Sequence, residues 1–385
     1  YVRLWTKGQI VERACPWLSG ALAWITWLRL AGARVGPSAE VSTIIDSVPE
    51  QLEIGDGTFL TDGIYLGGPR VDRGTVTVTP TKLGRRVFIG NHAVVPCGQQ
   101  VPDETLVGVC TVADDSRMRP GSAWFGHPAF ALARRPDEMD AGAFRPTWPR
   151  YLARLFFEAA RFVLPLLPLL VVIYWYSALA DAFARTSLPF FLLVASPLVT
   201  AGAAFVVATF VLVLKWVLLG RVRPGRHDFW SCWCFRWDLL YVAWQQLARP
   251  VLSNFEGTLI LAWYLRAMGA RIGRRVVLGR GFAQVVDPDM LQFDDDATVR
   301  GLLQAHTFEG RVLKIDRVRV GRHATVGSQA LLFYGADVGD RTRVAAHSVV
   351  MKRERLPAGR VYEGCPTRLA VQPPSLVTEG LQTTA

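Results

Sequence analysis

From Val320 to Val350 a large aliphatic residue falls at every sixth position: Val320, Val326, Leu332, Val338, Val344 and Val350. Four positions after the first five of these stand Ala324, Ala330, Ala336, Thr342 and Ser348, all small. Gly321, Gly327 and Gly339 directly follow three of the aliphatics. An amphipathic helix repeats its apolar residues near every 3.6 residues and an ordinary strand near every 2, so neither yields a run at six. One large and one small residue per six describe a side of a triangular coil. The aliphatic points into the prism, and the small residue fits the tight corner region. Coils of this kind stack on one shared core, as in other solenoids. Leu83, Ile89, Val95, Val101 and Val107 keep the same step, with Val87, Ala93, Gln99, Thr105 and Thr111 as their fourth positions. Only Gln99 departs from the pattern. Shorter echoes occur at Val35/Val41, Ile54/Leu60 and Ile272/Leu278.

The two runs belong to a longer duplication. Trp27 to Gly36 is similar to Trp263 to Gly273, and Gly32, Gly84 and Gly90 match Gly269, Gly321 and Gly327 at a constant offset of 237. Trp124-Phe-Gly-His-Pro128 matches Tyr362-Glu-Gly-Cys-Pro366 at 238. Each copy has a leading helix, a repeat region and a closing Gly-x-Pro turn.

Between the copies the composition changes. The chain has 385 residues, more than one compact domain holds, with 51% apolar and 19% charged types. A soluble domain carries about 25% charge, and disorder and collagen are excluded. Phe162 to Ala180 and Leu188 to Leu214 contain no charged residue; at 19 and 27 residues each can cross a hydrocarbon core of about 30 Å. Their short connection, residues 181–187, makes a helical hairpin. Pro165, Pro168, Pro189 and Pro197 are tolerated in membrane helices. Arg145, Arg150, Arg154 and Arg161 precede the hairpin, Lys215, Arg221, Arg223 and Arg226 follow it, and the connection has only Arg185. The positive-inside rule then predicts a plasma-membrane protein with both coil domains in the cytoplasm. The Trp-rich segments 9–30 and 229–269 are interrupted by charges and read as interfacial amphipathic helices.

The charge balance is +11, from 43 Lys+Arg against 32 Asp+Glu, but the basic residues gather around the hairpin instead of forming one basic arm. Nucleic-acid binding is not expected. Six cysteines without a CxxC pair make neither a disulfide scaffold nor a zinc ribbon, and no metal site is expected. Cys232 and Cys234 read as apolar filler. No cleavable signal peptide opens the chain, and its start at Tyr1 without Met makes it an expected piece of a longer protein. The predicted order is an interfacial helix over 1–33, a first coil domain over 34–135 and a linker with hairpin over 136–220. The spans fall near 156–180 and 188–214. Interfacial helices over 221–270, a second coil domain over 271–372 and a tail over 373–385 complete the chain.

The repeat resembles the hexapeptide-repeat acyltransferases, whose fold is a left-handed parallel β-helix. A closer resemblance is to the membrane-embedded C-terminal region of poly-lysine-synthetase-like nonribosomal peptide synthetases. There, tandem acyltransferase-like domains alternate with pairs of transmembrane helices. It rests on His306-Thr-Phe-Glu-Gly-Arg311, Lys314, Asp316, Val349-Val-Met-Lys352, Leu356-Pro-Ala-Gly359 and Glu363-Gly-Cys-Pro366, and covers nearly the whole chain. The implied fold class is mainly β with membrane helices: two tandem left-handed β-helix domains separated by a transmembrane hairpin.

The resemblance implies a reaction. A carrier domain holds an amino acid as a thioester on phosphopantetheine, and the amine of a free amino acid attacks to form an amide. The domain must orient the partners, take an ammonium proton and stabilise an oxyanion. His306 is the candidate base, because in such acyltransferases the base is a histidine near the coil surface. Glu309 is a candidate to orient it or to receive the substrate ammonium, and Arg311 to hold a carboxylate bidentately. An ion pair between Glu309 and a nearby arginine is the plainer alternative. Asp287, Asp289, Asp294, Asp295 and Asp296 form an acidic cluster, open to two readings: a solvated turn marked by Pro288, or a receptor for a cationic substrate's amine at Asp294, Asp295 and Asp296. The closing loop, with Lys352, Gly364 and Pro366, is the candidate path of the phosphopantetheine arm. Arg353, Arg355 and Arg360 are candidates for its phosphate. His92, His127, His227, His323 and His347 lack such a context. In the first copy Pro69 stands where His306 does, so that copy is expected to be silent, or to wall a shared site. The implied partners are adenylation and carrier domains of the same synthetase, a free amino acid, the lipid membrane, and an oligomer or pseudo-trimer completed by a further tandem domain. A coenzyme A-dependent acyltransferase on a sugar or amine, and a non-catalytic membrane scaffold, remain alternatives.

Overall fold

The computed structural model describes residues 2–133, Phe144 and residues 146–370. Arg145 and the expected tail 373–385 lie outside the described residues. The chain divides into two compact units. The first comprises residues 1–165 with 227–242 and 309–312, and the second 166–226, 243–308 and 313–385.

Each unit contains one left-handed parallel β-helix. In the second, parallel ladders run Arg271–Gln292–Arg319–Asp337–Arg355 and Val277–Thr298–Thr325–Arg343–Val361 along two faces, and Leu331 pairs with Val349 on the third. Arg319 to Asp337 and Thr325 to Arg343 are each eighteen residues, so one turn of the coil is three hexapeptides. The first copy repeats this: Lys82 pairs with Gln100 and Phe88 with Leu106. The inward aliphatics Val320, Val326, Leu332, Val338, Val344 and Val350 are fully buried, as are Ala324, Ala330 and Ser348.

The corners also follow the six-residue step. Arg86, His92, Glu104 and Cys110 in the first copy, and His323, Gln329, Arg341, His347 and Arg353 in the second, all have φ between 53° and 60°. His323 and His347 are therefore corner residues with exposed side chains. One corner is closed by an aspartate on the following coil: Asp56 accepts from Ser38 N–H at 2.9 Å, Asp103 from Arg85 N–H at 2.7 Å, and Asp340 from Arg322 N–H at 2.9 Å.

In both copies one coil throws out a two-residue hairpin. It spans Arg70–Asp72 and Thr75–Thr77 in the first copy, His306–Glu309 and Val312–Ile315 in the second. Arg73 and Gly74 have φ of 46° and 75°, and Gly310 and Arg311 have 55° and 63°. Positive φ at both central residues is the requirement of a type I′ turn.

Two helical runs, Trp148–Arg185 and Leu188–Leu218, are long and apolar enough to cross a membrane. The second unit holds their apolar parts, tied by Trp175 Nε1–H to Thr200 Oγ1 at 3.1 Å. A π turn over Phe191–Ala195 precedes Ser196-Pro197, where proline has no N–H to donate. The first run begins with the helix Trp148–Val163, which belongs to the first unit and buries charge against it. Arg154 bonds Glu40 at 2.8 and 2.9 Å, Glu158 at 2.7 Å and the carbonyl of Gly20 at 2.8 Å. Glu158 in turn accepts from the N–H of Leu22, the first residue of the helix Leu22–Leu30. Arg161 donates to the carbonyl of Ser19 at 2.9 Å and pairs with Asp238. Arg154, Arg161 and Lys215, counted above as flanking positive charge, are thus buried and paired. Arg150, Arg221, Arg223 and Arg226 stay exposed.

The coil core yields a direct check. Leu332→Ala leaves a cavity at the prism axis and is expected to cost about 2–5 kcal/mol. Ala330→Leu overfills the corner and is expected to cost about 1–3 kcal/mol. Arg343→Ala on the outward face should change stability by less than about 0.5 kcal/mol in denaturant unfolding.

Candidate functional site

His306 stands at the root of the second hairpin, in the second unit. Its predecessor Ala305 is fully buried in the coil, and the N–H of Asp316 closes the root on the carbonyl of Ala305 at 3.0 Å. The imidazole, 11% exposed, has its Nδ1 at 3.0 Å from Oδ2 of Asp287, which is 1% exposed. The ring of Phe308 lies edge-on at 6.1 Å.

Asp287 is delivered by an irregular segment anchored at both ends. Glu256 Oε1 accepts from the N–H groups of Gly281 and Ala283 at 2.8 and 3.2 Å. Trp244, fully buried, donates from Nε1 to the carbonyl of Ala283 at 2.9 Å. Phe282 packs edge-on against Phe293. The segment then ends in Asp287 at φ 53° and ψ 61°, followed by the short 3-10 turn Pro288–Met290. A residue before proline is pushed out of the right-handed helical region, and aspartate tolerates the left-handed one. A carboxylate on Nδ1 holds the ring in the tautomer whose basic nitrogen is Nε2, and stabilises the imidazolium formed when that nitrogen takes a proton.

The other candidates fall elsewhere. Arg311, at the hairpin turn, is counted with the first unit, as is Glu309, whose side chain lies outside the described residues. The Arg311 guanidinium is buried; it donates to the carbonyl of Ser38, lies 3.9 Å from Glu40 and stacks over Phe144 at 4.5 Å. Burial pulls its pKa below the usual arginine value.

Asp294 accepts from Arg319 at 2.7 and 3.0 Å, and Asp296 forms a fork with Arg275 at 2.6 and 2.8 Å. That fork holds the Asp296 carboxyl below the ordinary aspartate pKa. Asp295 accepts from Arg274 N–H at 2.7 Å, the same corner closure made by Asp56, Asp103 and Asp340. The acidic run is thus, first of all, the turn of a coil.

At the end of the second β-helix, Gly364 has φ 97°, its N–H meets Ser348 Oγ at 3.2 Å and its carbonyl accepts from Val349 N–H at 2.9 Å. Lys352 lies on the exposed surface with its ammonium 5.7 Å from the ring of Tyr334, and Pro366 is half-buried two residues beyond Gly364.

Asp287 is the residue that sequence reasoning left inside a general acidic cluster. The duplication carried the signal. Val48-Pro49-Glu50-Gln51-Leu52 aligns with Asp287-Pro288-Asp289-Met290-Leu291, and both form the same 3-10 turn and strand. The first copy therefore has Val48 for Asp287 and Pro69 for His306, and lacks both members of the pair.

No family model matches the chain. A Delta-poly-L-ornithine synthetase from Acinetobacter baumannii is 32% identical over 382 residues, covering 95% of this chain. The similarity lies with one part of that synthetase. It spans 28% of that protein's length. Partial likeness to solved structures includes the serine acetyltransferase of Neisseria gonorrhoeae, at 15% identity over 58% of this chain and 91% of that one, with a TM-score of 0.24. A hexapeptide-repeat acetyltransferase of Vibrio cholerae matches at 11% identity over 43% of this chain and 90% of that one, also with a TM-score of 0.24. The fold stands on the strand registers above, independently of these low-scoring superpositions.

Trp244→Phe removes the indole donor from the Ala283 carbonyl while keeping an aromatic ring. It is expected to destabilise the second unit by about 1–3 kcal/mol, as a buried acceptor loses its partner. Thermal unfolding with limited proteolysis around residues 281–287 measures this.

Proposed function

We propose that the chain is the amide-forming, acyl-transferring portion of a membrane-associated nonribosomal peptide synthetase. It condenses a carrier-bound aminoacyl thioester with a free amino acid of the diamino type, ornithine or lysine. The observation that carries this reading is the buried Asp287–His306 pair at a hairpin root, in a chain related to a poly-ornithine synthetase.

In the reaction the attacking amine forms a C–N bond to the thioester carbonyl, and the C–S bond breaks. His306 takes the proton that the amine must lose and returns one to the departing thiolate, so the products are an amide and a free thiol. Asp287 accepts from Nδ1–H and stabilises the imidazolium. Such positioned proton transfer contributes roughly 10²–10⁴-fold.

The phosphopantetheine arm belongs to the carrier and supplies the activated acyl group. Lys352, Gly364 and Pro366 would hold it: a cation on an aromatic face for its phosphate, and a left-handed glycine that brings backbone close to a slender chain. Asp294, Asp295 and Asp296 already have partners in Arg319, the Arg274 N–H and Arg275, so a substrate amine binding there would have to displace an existing contact. The two apolar helices would seat the protein in the plasma membrane, with the β-helices in the cytoplasm where aminoacyl thioesters are made.

With the protein in its native length, single-turnover transfer from a loaded carrier to labelled ornithine tests the assignment. His306→Ala is expected to lower the rate by roughly 10²–10⁴-fold. Asp287→Asn should lose a comparable share, since an amide no longer selects the basic tautomer. An unchanged amide yield in His306→Ala removes histidine from the base role.

A further inference from the structure

Among the described buried charges of the second unit, one pair takes no part in the proposed chemistry. Lys215, at the end of the apolar helix Ser196–Leu218, is 1% exposed, and its ammonium lies 2.9 Å from Oδ2 of Asp289. Asp289 has a side chain only 4% exposed, with the backbone N–H of Val222 beside it. On another side it meets Gly269, where a Cβ would stand 2.4 Å from its Oδ1. The same helix is tied down next door, by Trp216 Nε1–H on the Ala267 carbonyl at 2.9 Å. Asp289 is therefore clamped by the apolar helix, by the chain that follows it, and by the glycine after the helix Leu259–Ala267.

Asp289 sits inside the turn Pro288–Met290, and the residue before that turn is Asp287. Proline fixes φ between them, and Met290 N–H bonds back to the Asp287 carbonyl at 2.8 Å. Little slack separates the clamped carboxylate from the one on His306. The first copy has the matching clamp, with Glu50 paired to Lys7 of the helix Val2–Leu18, but those side chains are each 35% exposed. Only in the copy that holds the Asp–His pair is the clamp sealed from water. Burying two charges rarely adds net stability, because their desolvation offsets the attraction; what it can add is one defined geometry.

We infer that Lys215 is a positioning residue for the Asp287–His306 pair, acting through Asp289 and the Pro288 turn, so that the apolar hairpin holds the site in register. This rests on the proposed role of His306. The test uses the native-length protein in lipid nanodiscs, an ornithyl-pantetheine thioester as donor and labelled free ornithine as acceptor. Lys215→Met is expected to lower kcat by about 10- to 100-fold, the scale of a misplaced catalytic group, with KM within about twofold. Lys215→Arg should recover most of the rate. Combined with Asp287→Asn, Lys215→Met should lose much less than the product of the two separate losses, because both act through one group. If Lys215→Met fails to accumulate, the double variant Lys215→Met/Asp289→Leu leaves no buried charge unpaired, and is expected to accumulate with kcat still low. Full kcat in Lys215→Met or in that double variant, or losses that simply multiply, overturns the inference. His306→Ala in parallel separates the two failures: full activity there sinks the base assignment, whereas inactivity beside a fully active Lys215 variant sinks only the positioning role.

Discussion

Everything in this molecule depends on how little room lies inside an eighteen-residue coil. Each face offers one large aliphatic to the axis and one small residue near the corner, and the corner backbone must enter the left-handed region. Ala324 and Ala330 are fully buried, and their carbonyls accept from Thr298 and Leu302 of the neighbouring coil. Asp56, Asp103, Asp295 and Asp340 recur because the corner N–H of the adjacent coil needs an acceptor. A chain under these constraints has few positions free for chemistry. Those it has lie where the coil is interrupted, at the hairpin of residues 306–315 and the irregular segment 281–287.

The two interruptions meet at Asp287 and His306, and the duplication shows what each contributes. The first copy keeps a two-residue hairpin at the same place and a matching 3-10 turn, with Val48 and Pro69 at the paired positions. Loss of one partner alone would leave a buried carboxylate or imidazole without its hydrogen bond, which costs more than replacing both. Because the first copy lacks both, neither group is left there buried without the other.

Much of this architecture was legible in the sequence, for a physical reason. The six-residue step is imposed by the coil and repeats often enough to exceed chance, so the coils, the duplication and the two apolar helices could all be read. His306 stood out as a candidate through the block around it. Asp287 was not, because its contact depends on how far an irregular segment carries the chain, and no periodicity encodes that distance. The surroundings of Arg311 were not legible for a related cause: its place at a type I′ turn is local, whereas its burial beside Ser38, Glu40 and Phe144 is tertiary. The acidic run left two readings open, a turn or a cation receptor, because its composition fits both. Arg275 and Arg319 and the Arg274 N–H engage these three carboxylates, contacts that belong to the turn.

Charge counting near the apolar helices shows the same limit. The positive-inside rule weighs charges that meet water and lipid headgroups. Arg154, Arg161 and Lys215 meet neither; they face Glu40, Glu158, Asp238 and Asp289. What they do instead follows from the cost of burying an ion. A buried ammonium or guanidinium is tolerated only where acids and carbonyls are already in place, so each of these residues fixes a helix against a specific acid. That is a stronger constraint on geometry than apolar packing along the same helix, whose contacts are non-directional and tolerate sliding. Arg154, Arg161 and Lys215 therefore each hold an apolar helix to a defined acid of its own unit.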